Sequence, residues 1–319
     1  MNRSNLPKIS VFVVTYNQEN LISRALDSVL CQKEYLYELL VSDDCSTDNN
    51  WKVIDEYTKK HPDVVKAFRN EKNKGIYENI ETIRSKCTGD LFVGLAGDDS
   101  FQNGYLAAVI DMIKEKKIDF KNELFCIYFD FIIIYPNGSK KIFKNNLIKN
   151  PKFNLVSLKI RGLINTRCAV CSTKLLPLYR ITPKNIGNYC DELMDIQNLL
   201  LAEKNYYSPF IASSYYSHIG LSVKTNKEDY NWSMDQTTIE LEKWIQFSKT
   251  DSNWLVFQHY RRRLLINPEF KLFIRAICYY FKGINLSYGF CGLGLRRWFI
   301  DLSKVLGVYN ILTKRIIYK

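Results

Sequence analysis

Strand-like and helix-like segments alternate over residues 1–100 of this chain, and that order restricts the folds open to it. The strand-like runs are short and apolar, and between them apolar side chains recur with a period near 3.6 residues. The predicted strands are 9–14, 39–41, 64–68 and 91–97, and the predicted helices contain 21–30, 51–57 and 77–86. Such alternation predicts an α/β fold, in which a mostly parallel sheet carries helices on its faces.

Polar side chains follow three of the predicted strands at the points where they end. Tyr16 follows the first strand, Asp43 and Asp44 follow the second, and Asp98 and Asp99 follow the fourth. Ligands of open α/β sheets bind beyond the carboxyl ends of the strands, so we expect these side chains to surround one pocket. Carboxylate oxygens suit Mg²⁺ or Mn²⁺ bridging the phosphates of a nucleotide.

Four motifs, taken in order, resemble the successive motifs of glycosyltransferase family 2. They are 7–17 (PKISVFVVTYN), 41–48 (VSDDCSTD), 73–75 (NKG) and 89–99 (GDLFVGLAGDD). The resemblance covers about the first 220 residues. It implies a GT-A fold, a Rossmann-like sheet with flanking helices. It also implies a nucleotide-diphosphate sugar as donor, with a UDP-sugar foremost, Mn²⁺ or Mg²⁺ as cofactor, and inversion at the anomeric carbon.

The same resemblance assigns roles to individual residues. Tyr16 and Asp43 or Asp44 would hold the base and ribose of the donor, and Asp98 would be the principal metal ligand. The further predicted donor contacts are Thr15, Asn17, Glu19, Gly75 and Asp98. The predicted metal ligands are Asp98, Asp99 and His218. Residues 215–222 (YYSHIGLS) resemble the histidine-containing stretch that closes the site in the family. The chain departs from the family at Ala96, where many members carry another Asp, so ribose contact is expected to rest on other groups.

A general base is needed as well, because an acceptor hydroxyl is a poor nucleophile until its proton is removed during attack. Asp191 and Asp195 are four residues apart and are expected on one face of a helix that continues through an apolar run to Ala202. The base of the family usually stands at the start of this helix, which favours Asp191. Counting back from Ala202 favours Asp195, so both are candidates.

The pattern becomes antiparallel after the metal motif. Strands are predicted at 124–128, 131–135, 141–143 and 169–172, with a turn at 136–139 and a helix with cationic ends within 161–180. We expect 1–123 to form the nucleotide-binding half and 124–225 the acceptor half of one GT-A domain. Arg167 or Arg180 either reaches the diphosphate or lies on the solvated surface.

The net charge of +12 is concentrated at the C-terminal end. Residues 251–319 hold 12 basic and 3 acidic residues, a net +9, and aromatic residues are mixed among them. No stretch reaches the roughly 18–20 apolar residues of a spanning helix. This composition predicts a basic, aromatic, helical extension that lies on an anionic membrane surface, or a helical cap on the catalytic domain. Residues 226–250 are a linker or helix, with 225–230 the best linker. Nucleic acid is not expected as a partner, because no recognition module is present.

The nine cysteines lack the spacing of a disulfide framework, which predicts reduced thiols in the cytosol. Cys168 and Cys171 are expected to line the core. No signal sequence precedes the first strand, so we expect a cytoplasmic protein, peripheral at the inner face of the cell membrane.

These features predict a metal-dependent, hexosyltransferase-type enzyme. It would move a sugar from its donor to a hydroxyl of a growing surface saccharide, lipid-linked as in capsule, O-antigen or exopolysaccharide synthesis. One alternative is a non-catalytic sugar-nucleotide-binding or scaffold protein. A nucleotidyltransferase is a second alternative, but it would carry a Gly-rich loop after the first strand, where this chain has 15–19 (TYNQE).

Overall fold

A computed structural model describes residues 6–179, 191–219, 226–264, 266 and 270–283. The strands are β1 (Ile9–Thr15), β2 (Glu38–Asp43), β3 (Val65–Arg69), β4 (Leu91–Ala96), β5 (Ser100–Phe101), β6 (Phe125–Ile134), β7 (Lys140–Phe143), β8 (Val170–Ser172) and β9 (Lys204–Tyr216). The helices are α1 (Ile22–Leu30), α2 (Asn50–Lys60), α3 (Ile76–Arg84), α4 (Tyr105–Glu115), α5 (Leu155–Ile160), α6 (Asp191–Leu201), α7 (Lys227–Glu242), α8 (Lys249–Leu264) and α9 (Phe270–Gly283).

One sheet joins the strands in the order β3-β2-β1-β4-β8-β6-β9-β5, and β7 pairs with β6. The first four strands are parallel, as the strand–helix alternation predicts. Strand β8 is antiparallel to both β4 and β6, while β6 and β9 are parallel. The predicted α/β class, with a parallel-dominated sheet and flanking helices, is therefore confirmed.

Strand β1 lies between β2 and β4, and all seven of its residues are buried. Helix α1 packs on this part of the sheet through Ile22, Ala25, Leu26 and Val29, whose spacing gives the apolar stripe that the sequence predicted. Burying four such side chains removes most of their apolar surface from water, and each larger one stabilises the fold by about 1.5–3 kcal/mol.

The prediction of two short strands at 124–128 and 131–135 is wrong, because β6 is continuous across both. The run Phe125–Ile134 is apolar except at Asp130, where the pairing with β9 shifts register. Asp130 is buried at this irregularity and accepts hydrogen bonds from the Asn145 amide and the Tyr207 hydroxyl. Because these hydrogen bonds satisfy the buried carboxylate, the strand continues through Asp130.

Two further expectations are corrected. Residues 227–230 form the first turn of α7 rather than a linker, and the Asn226 side chain caps that helix by accepting from the Glu228 amide. Within 161–180, Thr173–Leu178 is a 3₁₀ turn that contains Pro177, not an α-helix. Residues 180 and 225 lie outside the described residues.

The cysteines that the structure describes are free thiols, and both Cys168 and Cys171 are buried, as expected. Cys171 lies in β8 opposite Cys126 of β6, with the two sulfur atoms 3.0 Å apart. Cys190 and Cys291 lie outside the described residues.

The chain divides into two compact units. The first contains Met1–Val156 and Ile164–Thr225, and the second contains Ser157–Leu163 and Asn226–Lys319. Within the second unit, the buried carboxylate of Asp251 accepts from Ser157 Oγ at 2.6 Å and from Arg161 Nη2 at 2.9 Å. This buried, hydrogen-bonded ion pair fixes the short 157–163 segment to α8.

The core of the second unit is aromatic. Trp254, Phe257 and Tyr280 are buried, with ring centroids 5.0–6.0 Å apart. A Cβ placed at Gly283 would lie 2.8 Å from the Trp254 amide nitrogen, so only glycine permits this close approach. Among the described residues, every helix is too short or too polar to cross a bilayer.

Glu38 of β2 connects to β1, to β3 and to the turn before β4, at the edge of the sheet where these strands begin. Its buried carboxylate accepts from Ser10 Oγ at 2.7 Å, the Thr88 amide at 2.7 Å and Lys66 Nζ at 2.9 Å. Burial opposes the charge, but the hydrogen bonds from Lys66, Thr88 and Ser10 outweigh it and hold the pKa of Glu38 below its ordinary value.

Replacing Glu38 with Gln is expected to lower the free energy of unfolding by about 1–3 kcal/mol near neutral pH, because amide hydrogens then face the Thr88 and Lys66 donors. A depressed pKa stabilises the fold above the unfolded-state pKa of about 4.3, and this contribution is lost as the pH falls through the folded-state pKa. Urea denaturation at about pH 7 and about pH 3.5 checks this. The exposed Glu34→Gln is the control, and an equal deficit of Glu38→Gln at both pH values would contradict the prediction.

Candidate active site

The pairing of β1 brings three loops to one edge of the sheet. Thr15 pairs with Asp43 on one side of β1, and Val14 pairs with Ala96 on the other. Two hydrogen bonds continue this alignment into the loops: the Asp44 amide donates to Thr15 O at 3.0 Å, and the Gly97 amide donates to Val14 O at 2.9 Å. The strand ends that the sequence singled out are therefore adjacent, as predicted.

The loops after β1 and β2 are hydrogen-bonded to each other. Asn17 has a positive φ of 51°, and its Oδ1 accepts from the Thr47 amide at 2.8 Å. Glu19 Oε2 accepts from the Asn49 amide at 2.7 Å. Asn17 and Glu19 thus hold the second loop, while the Tyr16 side chain between them is 41% exposed. Of these predicted donor contacts, Tyr16 offers the accessible surface.

Asp43 is fully buried inside its own loop. It accepts from the Ser46 amide at 3.0 Å and Asn50 Nδ2 at 2.7 Å, and Arg69 Nε lies 3.4 Å away. These bonds give the loop after β2 a fixed shape.

Asp44 connects β2 to the 73–75 motif. It is buried, and it accepts from Asn70 Nδ2 at 2.8 Å and from the amides of Lys74 and Gly75 at 2.9 Å. Gly75 has a φ of 83°, a conformation that glycine adopts without strain, and it precedes α3. The predicted residues Asp44 and Gly75 therefore form one structural unit.

A chain of polar side chains runs from the second loop to the acidic pair. The Thr15 hydroxyl lies 2.8 Å from Gln18 Oε1 and 3.3 Å from Asn50 Oδ1, and the Gln18 side chain hydrogen-bonds the Asp98 carboxylate. A Cβ at Gly97 would lie 2.5 Å from Gln18 Oε1 and 2.9 Å from Thr15 Cβ, so a side chain there would displace Gln18 and crowd Thr15. This explains the glycine that precedes the acidic pair.

Asp98 and Asp99 have different surroundings. Asp98 is half-buried, and burial raises its pKa against the opposing effects of Arg167 and Arg24. Asp99 is almost fully buried, accepts from Arg167 Nη1 at 2.7 Å and accepts from the Tyr216 amide at 3.3 Å. Burial raises the pKa of Asp99 to about 6, although Arg167 lowers it and Asp98 raises it further. Asp98 is thus the more accessible carboxylate of the pair.

Two arginines flank the acidic pair and stack on consecutive tyrosines of β9. Arg24 lies 3.6 Å from the ring centre of Tyr216 and donates to the Asp98 carbonyl, while Arg167 lies 4.2 Å from the ring centre of Tyr215. Arg167 was considered from the sequence, but Arg24 was missed. No sequence signal separates Arg24 from the solvent-facing residues of α1, because its role depends on β9, far along the chain.

The third predicted metal ligand lies just beyond β9. His218 is exposed, has a positive φ of 63°, and its Nδ1 lies 3.2 Å from Ser217 Oγ. It is two residues from Tyr216, whose amide binds Asp99, so the fold brings this turn toward the acidic pair. No group of three His, Cys, Asp or Glu side chains within the described ranges could by itself hold a metal ion.

Helix α6 begins at Asp191, the position at which the sequence places the base helix. The side chain of Asp191 lies outside the described residues. Asp195 lies one turn later, and its charge, like that of Asp99, adds to the effect of burial that raises the pKa of the Cys168 thiol to about 11. Asp195 and Asp99 are therefore both within electrostatic reach of one buried sulfur.

Residues 10–165 match the sequence model of glycosyl transferase family 2, the family that the four motifs resemble. An uncharacterised Mycobacterium tuberculosis protein is 27% identical over 180 residues, which cover 56% of this chain and 50% of that protein. The GalNAc(5)-diNAcBac-PP-undecaprenol β-1,3-glucosyltransferase of Campylobacter jejuni is 31% identical over 111 residues, which cover 34% of this chain and 36% of that protein. The chain thus spans half or less of these relatives.

Solved structures show the same fold. TarS 1-349 of S. aureus matches with a TM-score of 0.61 and 17% identity, covering 95% of this chain and 91% of that chain. GalNAc-T7, solved with UDP, GalNAc and Mn²⁺, matches with a TM-score of 0.58 and 14% identity, covering 82% of this chain and 51% of that chain. The predicted GT-A fold is therefore confirmed.

Replacing Arg24 with Ala is expected to loosen the loop that carries Asp98. The guanidinium bridges this loop and Tyr216, so hydrogen–deuterium exchange at residues 97–100 and at the Tyr216 amide should accelerate roughly tenfold. Arg24→Lys should recover only part of the protection, because an ammonium lacks the planar guanidinium surface. Lys52→Ala, on the exposed face of α2, is the control. Exchange in Arg24→Ala that matches this control would refute the role.

Proposed function

We propose that this chain is an inverting glycosyltransferase that moves a sugar from a nucleotide-diphosphate sugar, foremost a UDP-sugar, to a hydroxyl of a growing saccharide. One observation carries the proposal: in a family 2 segment, three loops converge at one sheet edge around Asp98, Asp99 and two arginines. TarS 1-349, which has the same fold, has also been solved in complex with UDP-GlcNAc, and this supports a nucleotide sugar as donor.

Different residues of the three loops are proposed to contact the donor, to hold the loops in place and to compensate the charge of the diphosphate. Tyr16 presents an exposed ring on which a nucleotide base can stack. Asp43, Asp44, Asn17, Glu19 and Gly75 keep the surrounding loops in place, and Thr15 ties them to the acidic pair. Arg24 and Arg167 place positive charge near the position proposed for the diphosphate. Negative charge grows on this group as the sugar departs, so fixed cations nearby stabilise the transition state.

The carboxylates fit a divalent cation that binds together with the donor. Mg²⁺ in nucleotide sites is usually held by one or two carboxylates plus substrate phosphates. Asp98 supplies one accessible carboxylate, whereas Asp99 is engaged with Arg167 and the Tyr216 amide. We propose Asp98 as the principal ligand, with Asp99 and His218 as further candidates. When bound, Mn²⁺ or Mg²⁺ would offset the charge on the leaving diphosphate.

Acceptor activation is assigned to Asp191 or Asp195 on α6. Either carboxylate would take the proton of the attacking hydroxyl on the face of the sugar opposite the diphosphate. We propose that the acceptor is a lipid-linked saccharide at the inner face of a cell membrane. One relative, which is named for an undecaprenol-linked substrate, supports this.

Thermal melting of the full chain against UDP-, GDP-, CDP- and dTDP-sugars, each with Mn²⁺, tests the proposal. A bound donor at about 100 times its Kd should raise the melting temperature by about 5 °C or more. Transfer with that donor should be detected by the mass of the product.

The Asp98→Asn variant should melt at the wild-type temperature in the absence of donor, but its transfer rate should fall by roughly 100-fold or more. Wild-type turnover in Asp98→Asn at saturating donor would refute the metal assignment, and donor binding without hydrolysis or transfer would indicate a non-catalytic protein.

Asp191→Asn and Asp195→Asn should separate the base from its neighbour, each serving as the control for the other. Removing the base should lower kcat by roughly 100-fold or more with little change in KM for the donor. It should also abolish the acidic limb of the pH profile of kcat, because that limb reports protonation of the base. The other variant should stay within about threefold of wild type. Two variants with wild-type kcat would place the base elsewhere.

A further inference from the structure

Helix α9 presents an apolar stripe to solvent on the side opposite its buried face. Ile274 is 44% exposed and Phe281 is 64% exposed, and Cys278 between them is exposed as well. Their spacing of four and seven residues places them in one row along the helix. The opposite side of α9 is buried through Phe273, Ala276 and Tyr280. The helix is therefore apolar on two sides, one of which is buried and the other largely exposed.

Basic residues border this stripe. Lys271, Arg275 and Lys282 are exposed and lie on one flank of it, at positions that follow from a helical rotation of about 100° per residue. Residues 270–283 contain no Asp or Glu. The surface formed by these three cations and the row Ile274, Cys278 and Phe281 is called the α9 face.

Helix α7 provides an internal comparison. Trp232 and Ile239 are 51% and 48% exposed and, seven residues apart, also share one side of their helix. Residues 227–242, however, contain five acidic side chains and a single Lys. Asp235 is ion-paired with Arg262 and Glu240 with Lys243, but acidic side chains still outnumber basic ones within 227–242. An anionic surface would therefore favour α9 over α7, although both helices expose similar apolar side chains. Charge thus selects between two otherwise similar surfaces.

We propose that the α9 face binds the headgroup layer of an anionic lipid bilayer. A helix of 14 residues is about 21 Å long and is too short to span the hydrocarbon core, so it would lie in the plane of the interface. Ile274 and Phe281 would enter the boundary between headgroups and acyl chains, while the basic flank contacts lipid phosphates. This binding involves neither donor nor acceptor and is independent of the proposed reaction.

Flotation of the full chain with vesicles of phosphatidylcholine, with or without phosphatidylglycerol, tests the inference. The wild type should float only with the anionic vesicles and be released by high salt. Replacing Lys271, Arg275 and Lys282 with Gln should lower the partition coefficient by roughly 100-fold. Ile274→Ser with Phe281→Ser should lower it by roughly tenfold or more. The matched control, Trp232→Ser with Ile239→Ser, should partition as the wild type does.

Circular dichroism and melting curves of each variant verify that it is folded. Several results would overturn the inference: a wild type that stays in the soluble fraction with anionic vesicles, equal losses in the α9 and α7 pairs, or wild-type partitioning of the α9 pair. Because the assay contains no nucleotide sugar, a failure here leaves the transfer experiments unaffected.

Discussion

The geometry of the candidate site depends on the backbone pairing of β1 with both of its neighbours. Adjacent strands are about 4.8 Å apart, so the loops that leave β2, β1 and β4 start within about 10 Å of one another. A slip of one residue would turn the buried side chains of β1 to the wrong face, and the buried core on both faces therefore fixes the register. Glu38 ties the same strands at the opposite edge. Sheet formation thus places the loops that carry Asp43 and Asp98 on either side of the end of β1.

Charge balance explains how two adjacent carboxylates are tolerated in a largely buried site. Asp98 and Asp99 repel each other, and burial disfavours both charges, yet Arg24 and Arg167 bring two compensating cations. The guanidinium groups of Arg167 and Arg24 stack on the rings of Tyr215 and Tyr216, and these contacts help to orient them. The four groups are close to neutral together. A diphosphate added to them would leave an excess of negative charge, and this is a physical reason for a divalent cation to accompany the donor.

Local patterns sufficed for the parallel half of the fold, because short apolar runs, a 3.6-residue period and acids at strand ends depend on neighbours in sequence. What failed depends on distant partners. The continuity of β6 follows from its pairing with β9, and the place of Ser157–Leu163 in the second unit follows from contacts with Asp251. Arg24 likewise acquires its role from Tyr216. The acids were found because their positions were local, whereas the groups that orient them were not.

The composition of 251–319 does not distinguish one aromatic residue from another, but the structure separates buried aromatic residues from exposed ones. Trp254, Phe257 and Tyr280 form the interior of the second unit, whereas Phe281 is exposed beside cations. Composition cannot make this division, because adjacent residues of one helix, Tyr280 and Phe281, fall on different sides. The buried side of α9 belongs to the interior of the second unit, and its exposed side is the surface proposed to meet an anionic lipid.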